Sequence, residues 1–123
     1  MGDDGPRMEC EVTFLSRENG GRELLPTLSG NVYRPHLVVG DPNQREAIMK
    51  GRTITEEYLS AFFESGPENP VFEQPLRVVL WLPFWQPIPE FDKFKPGVTF
   101  ALREGPNILG FGTALRWQTE PIK

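Results

Sequence analysis

Apolar and polar residues alternate from Met8 to Phe14. Met8, Cys10, Val12 and Phe14 fall on one side, and Glu9, Glu11 and Thr13 on the other. A period of two is that of a strand with one face against a core. "SRENGGRE" follows, where Asn19, Gly20 and Gly21 supply the positive φ of a tight turn. Tyr33 to Val39 reads as a second strand, made irregular or edge-like by Pro35. "GDPNQRE" is then a loop. "LRVVLWL", Leu76 to Leu82, reads as an apolar strand, and "PFWQPIPEF" is too rich in proline for a central one. Phe91 to Pro96 is a short connection. The stretch "VTFALREGPNILGFGTALRW", Val98 to Trp117, reads as strand, turn, strand, with Arg103, Glu104 and Gly105 at its tip.

One segment carries the other period. Thr55 suits a helix N-cap, with Glu56 and Glu57 in the first turn. Ile54 and Leu59 have the spacing of a hydrophobic staple, and Leu59, Phe62 and Phe63 form a stripe at i, i+3, i+4. Gly66 and Pro67 end it. The pattern predicts a helix of about three turns from Thr55 to Ser65, docked through Leu59, Phe62 and Phe63.

Composition narrows the fold class. With 12 Gly and 13 Pro among 123 residues, long helices are interrupted, and many short strands joined by turns point to a barrel or sandwich. Residues 1–7 read as a polar tail and 8–123 as one domain, with no internal repeat or linker. A net charge of −4 argues against a broad basic surface for nucleic acid. The single cysteine, Cys10, permits no internal disulfide and suggests a reducing compartment. The first ten residues do not have the pattern of a secretory signal, and no apolar run approaches the roughly 20 residues of a membrane span. The expected setting is cytoplasmic, without a membrane partner.

Catalytic and metal chemistry is sparse. One histidine, His36, and one cysteine make no zinc cluster, so no metal or cofactor is expected. Cys10 lies among alternating apolar residues, where cysteine is usually inert packing. Glu9 and Glu11 lie on a strand's polar face, and Glu56 and Glu57 in a helix first turn, both solvated positions. No nucleophile elbow surrounds Ser16, Ser29, Ser60 or Ser65. Gly110 to Gly112, "GFG", falls within a strand and opens no helix, and no phosphate-binding G-x-x-x-x-G-K-[ST] loop occurs. We therefore expect neither GTP binding nor enzymatic activity.

Three segments, in order, resemble the C-terminal β-barrel domain of the translation elongation factor Tu family. "EVTFLSRENGGRE" (11–23) is similar to its strand and Gly-Gly-Arg turn. "LSGNVYRPH" (28–36) is similar to its Gly-Tyr-Arg-Pro-Gln segment, and "VTFALREGPNILGFG" (98–112) to its closing hairpin. "LPFWQPIPEF" loosely resembles the family's strand containing His-Pro-Ile. The resemblance implies an all-β fold, a closed six-stranded antiparallel barrel; the helix at about 51–66 is an insertion where the family has only a short connection. It implies no catalytic residues, and a domain that packs on a GTPase domain and helps hold aminoacyl-tRNA. The family's tRNA-contacting positions correspond here to Arg22, His36 in place of Gln, Glu104 and Gly105. This chain departs from the family in having neither the GTPase domain nor the second barrel. Pro106 stands for the tip's second Gly, and Asn31 and Val32 are extra.

The candidate binding residues are thus Arg22, His36, Arg103, Glu104 and Gly105. Arg103 and Glu104 read equally well as a solvated pair flanking a turn. Arg34 reads as structural. Trp81, Phe84 and Trp85 suit a core or docking role better than an exposed aromatic patch. The expected function is a free-standing, non-catalytic module that binds a protein partner. The alternative is RNA binding related to translation, with Arg22, His36 and Arg103 on tRNA phosphates.

Overall fold

A computed structural model describes residues 5–46, 49–50, 53–54 and 58–121. The alternation read at the N-terminus becomes strand β1, Arg7–Phe14, which takes in Arg7 as well. Met8, Cys10, Val12 and Phe14 are fully buried. β2 is His36–Val39, shorter than the expected strand because proline supplies no ladder donor. Four short strands follow, β3 (Met49–Lys50), which pairs with β4 (Thr53–Ile54), then β5 (Leu59–Ser60) and β6 (Phe62–Ser65), which do not pair with each other. β7 is Leu76–Trp81, a single helical turn α1 covers Pro89–Asp92, and β8 (Thr99–Glu104) and β9 (Asn107–Thr119) form the closing hairpin.

Seven of these strands make one all-antiparallel, curled, barrel-like sheet in the order β5-β2-β8-β9-β1-β7-β6. Its two end strands, β5 and β6, are separated only by Ala61. Ladder bonds run on past the assigned strands. The N–H of Ala61 donates to Pro35 O (3.3 Å), Phe63 N–H to Tyr33 O (3.0 Å) and Asn31 N–H to Phe63 O (3.0 Å).

The inserted helix is the expectation that fails. Thr55, Glu56 and Glu57 lie outside the described residues, but Leu59 to Ser65 is strand, broken only at Ala61. The sequence "LSAFF" satisfies two periods at once. Leu59, Phe62 and Phe63 fit a helix, while Leu59, Ala61 and Phe63 alternate as in a strand, and these last three are the buried ones. The strand wins because it finds ladder partners on both sides, 33–37 and β7, whereas three turns of helix are marginal alone. Phe62 consequently faces outward, stacked on Trp81 at 5.4 Å, not into a docking seam.

The interior joins Phe14, Tyr33, Phe63, Phe100, Leu37, Leu80 and Leu102. Space for the Phe100 ring comes from β9, whose inward positions opposite Phe14, Val12 and Cys10 are Gly110, Gly112 and Ala114. A Cβ on Gly112 would sit 2.7 Å from the Phe100 ring and 2.8 Å from Glu11 O. "GFG" is therefore a packing feature. Register shifts between β1 and β9, at Arg7/Met8 and Glu9/Cys10, bend the long β9 around the core.

Candidate functional site

Loop 15–24 brings Arg22 to the sheet. Arg17–Asn19 makes a short 3₁₀ turn that Gly20 closes at φ +92°, and the Gly21 N–H donates to Ser16 O at 2.9 Å. Glu73 anchors this loop. Its carboxylate accepts the Ser16 N–H (2.6 Å) and the Asn19 amide (2.8 Å), and these bonds hold its pKa below the usual carboxylate range. Arg22 then donates through Nε to Leu24 O at 2.8 Å.

At the end of β8, Glu104 receives two partners. Arg22 Nη1 forms an ion pair with its Oε2, and the Tyr33 hydroxyl donates to the same oxygen at 2.7 Å. The Arg22 guanidinium also lies over the Tyr33 ring, 5.4 Å from its centroid. Burial and the adjacent Glu104 carboxylate push the Tyr33 phenol up, so it stays a neutral donor. Gly105 turns the hairpin at φ +60°, a left-handed conformation that suits glycine. Leu24 and Val32 flank this cluster at 74% and 73% exposure.

His36 and Arg103 are cross-strand partners of β2 and β8. They lie on the other face of the sheet from Glu104, because adjacent residues of a strand alternate. Arg103 is only 2% exposed, so it does not project from the tip into solvent. Val38 and Ala101 are buried beside it, outside the interior cluster. Arg45 packs over the Phe111 ring and Glu46 bridges Asn107, so the chain after β2 runs along this outer face. His36 stacks on Tyr58 at 4.3 Å. Burial, then the charges of Arg34 and Arg103, hold its pKa below the ordinary histidine value, and it is neutral at pH 7.

The five candidates thus form two groups, Arg22 with Glu104 and Gly105 at the rim, and His36 with Arg103 on the outer face. Sequence reasoning missed Tyr33 as the group that orients Glu104. It also missed the exposed Leu24 and Val32, whose signal is an aliphatic residue inside a Gly- or Pro-rich loop.

Compared with known proteins, the chain matches no family model.

No curated protein matches it either. Cys10 is buried, and burial together with Glu9 pushes its thiol far up, which suppresses the thiolate. Among the described residues no cluster of three His, Cys, Asp or Glu has the placement to hold a metal, and no helix is long and apolar enough to cross a membrane.

Proposed function

We propose that the chain is a non-catalytic, protein-binding barrel of the elongation factor Tu C-terminal type, and that it engages its partner through the rim around Arg22 and Glu104. The observation carrying this reading is the rim itself. A fixed ion pair, braced by Tyr33, is joined through the adjoining loop residues to two aliphatic side chains, Leu24 and Val32, that are about three-quarters exposed. Exposed apolar groups next to an oriented charge pair suit a protein surface, where burial supplies affinity and the charges set orientation.

The barrel reading takes β5, Ala61 and β6 as one continuous strand. With that, the sheet becomes a ring of six strands, supported by the hydrogen bonds from Ala61 and Phe63 to Pro35 and Tyr33. A strand in place of the helix at 59–65 also brings the chain nearer to the family pattern, which has only a short connection there. The sequence has no phosphate-cradling loop, so the module neither binds nor hydrolyses GTP.

A second reading, RNA binding, draws on an outer sheet face where arginines and aromatics interleave. Arg34 lies over Phe62, Phe62 stacks on Trp81, and Arg7 lies over Trp81. Stacking surfaces beside cations suit single-stranded RNA. It ranks second because carboxylates already engage this face. Arg77 and Arg116 both pair with Glu9 (2.5 and 3.0 Å), and Arg7 with Glu64 (2.7 Å).

Affinity capture from the native host, combined with tRNA titration across a salt series, separates the two. The protein-binding reading expects a captured protein that resists nuclease and is lost with Leu24→Ser plus Val32→Ser, in a chain whose melting temperature is unchanged. Any tRNA binding should be no tighter than the roughly 10⁻⁴–10⁻⁶ M of non-specific contacts. Tight tRNA binding abolished by Arg34→Ala together with Arg7→Ala would make RNA the ligand instead.

A further inference from the structure

The segment after β7 closes the opposite end of β8 from Glu104. Trp85 N–H donates to Leu82 O, Phe91 N–H to Ile88 O and Phe94 N–H to Phe91 O, so short local bonds fix its path. Phe94 reaches the interior through an edge contact with Phe100 at 5.6 Å. On its outer side stand two indoles. The rings of Trp85 and Trp117 meet edge to face at 89° and 5.4 Å, and Trp117 meets Phe94 at 82° and 6.1 Å. These right-angled walls line an open concavity of about 480 Å³. Two carboxylates, Asp92 and Glu120, border it with one lysine, Lys95. Pro87 and Pro121 complete the edge and bring no backbone N–H. Phe84, from the same segment, is 55% exposed.

We propose that this concavity is a second binding site, separate from the rim, and that it takes an extended, proline-containing peptide carrying a basic residue. The volume falls within the range of ligand sites, and the aromatic walls are held in place before binding. The edge prolines offer no N–H to a partner's carbonyls. Recognition therefore falls to ring surfaces and charge. Proline in an extended left-handed helix suits this, because it packs on aromatic walls, has little conformational freedom to lose and leaves few of its own donors unpaired. The carboxylates outnumber the lysine two to one and the whole chain carries −4, so the flanking residue is Arg or Lys.

The test follows the three indole N–H resonances of the isotope-labelled protein, from Trp81, Trp85 and Trp117. The titrants are short synthetic peptides alternating Pro with Arg, Pro with Glu, and Ala with Arg. The Pro-Arg peptide should shift Trp85 and Trp117 and leave Trp81, whose ring lies against Phe62 and Arg7, in place. Asp92→Asn and Glu120→Gln, both surface changes, should each weaken it roughly two- to fivefold. Trp85→Leu, checked for an unchanged spectrum elsewhere, should weaken it about thirtyfold. No shift at Trp85 and Trp117 would overturn the proposal. So would equal binding of the Pro-Glu or the Ala-Arg peptide, or affinity indifferent to both carboxylate changes.

Discussion

Phe62 and Phe63 are neighbours in sequence with opposite fates. Phe63 is fully buried against Phe14 and Tyr33, and Phe62 lies outside between Trp81 and Arg34. Phe63→Ala should therefore cost about 3–5 kcal/mol. Phe62→Ala removes one ring pair on the surface and should cost about 0.5–1.5 kcal/mol. Chemical denaturation of the two variants measures the gap, and equal losses would restore the docked helix. His36 gives a pH signature at the same scale. Its pKa is lowered on folding, so the unfolded chain binds more protons in that range. Stability is then complete above the ordinary histidine value and declines as pH falls from about 6.5 through the lower folded value. His36→Gln should flatten the melting temperature between about pH 7 and pH 5.5, above the carboxylate range. An unchanged slope would place the titration elsewhere.

The elements were legible where one period excluded the other. The apolar residues of β1 and β7 alternate strictly, the β8–β9 hairpin is marked by its charged Gly-Pro turn, and each appears close to where the pattern puts it. Residues 59–65 carried both periods, and the deciding term was long-range. Partners at Tyr33, Pro35 and Leu80 are remote in sequence, so no local window contains them. The same limit hid Arg103. Alternation along "FALRE" puts it outward, but its burial depends on chain folded over that face from elsewhere. β9 is the element whose sequence is most constrained by its neighbours. Gly112→Ala would press a methyl onto the Phe100 ring and the Glu11 carbonyl, and should cost about 1–3 kcal/mol. Thermal melting checks this, and a neutral result would mean that β1 and β9 shift apart freely.

For the whole molecule, the curled sheet has two differently furnished ends. One carries the Arg22–Glu104 pair with Leu24 and Val32, and the other the Trp85–Trp117 walls with Asp92 and Glu120. The family correspondence grouped Arg22 with Glu104 and Gly105, and the fold brings Arg22 and Glu104 into contact across 82 positions. There the still-charged guanidinium is paired with the Glu104 carboxylate. The RNA alternative put Arg22, His36 and Arg103 on tRNA phosphates. Instead Glu104 pairs with Arg22, Arg103 is buried and His36 is uncharged at pH 7. That change supports the proposed protein surface over phosphate binding. The most direct measurement is site-specific photocrosslinking in the native host, with the reactive group at Leu24 and a control at Thr13 on the outer sheet face. The account predicts a discrete, nuclease-resistant protein adduct from position 24 and none from position 13. An adduct at position 24 that is RNA, or equal labelling from both positions, would contradict it.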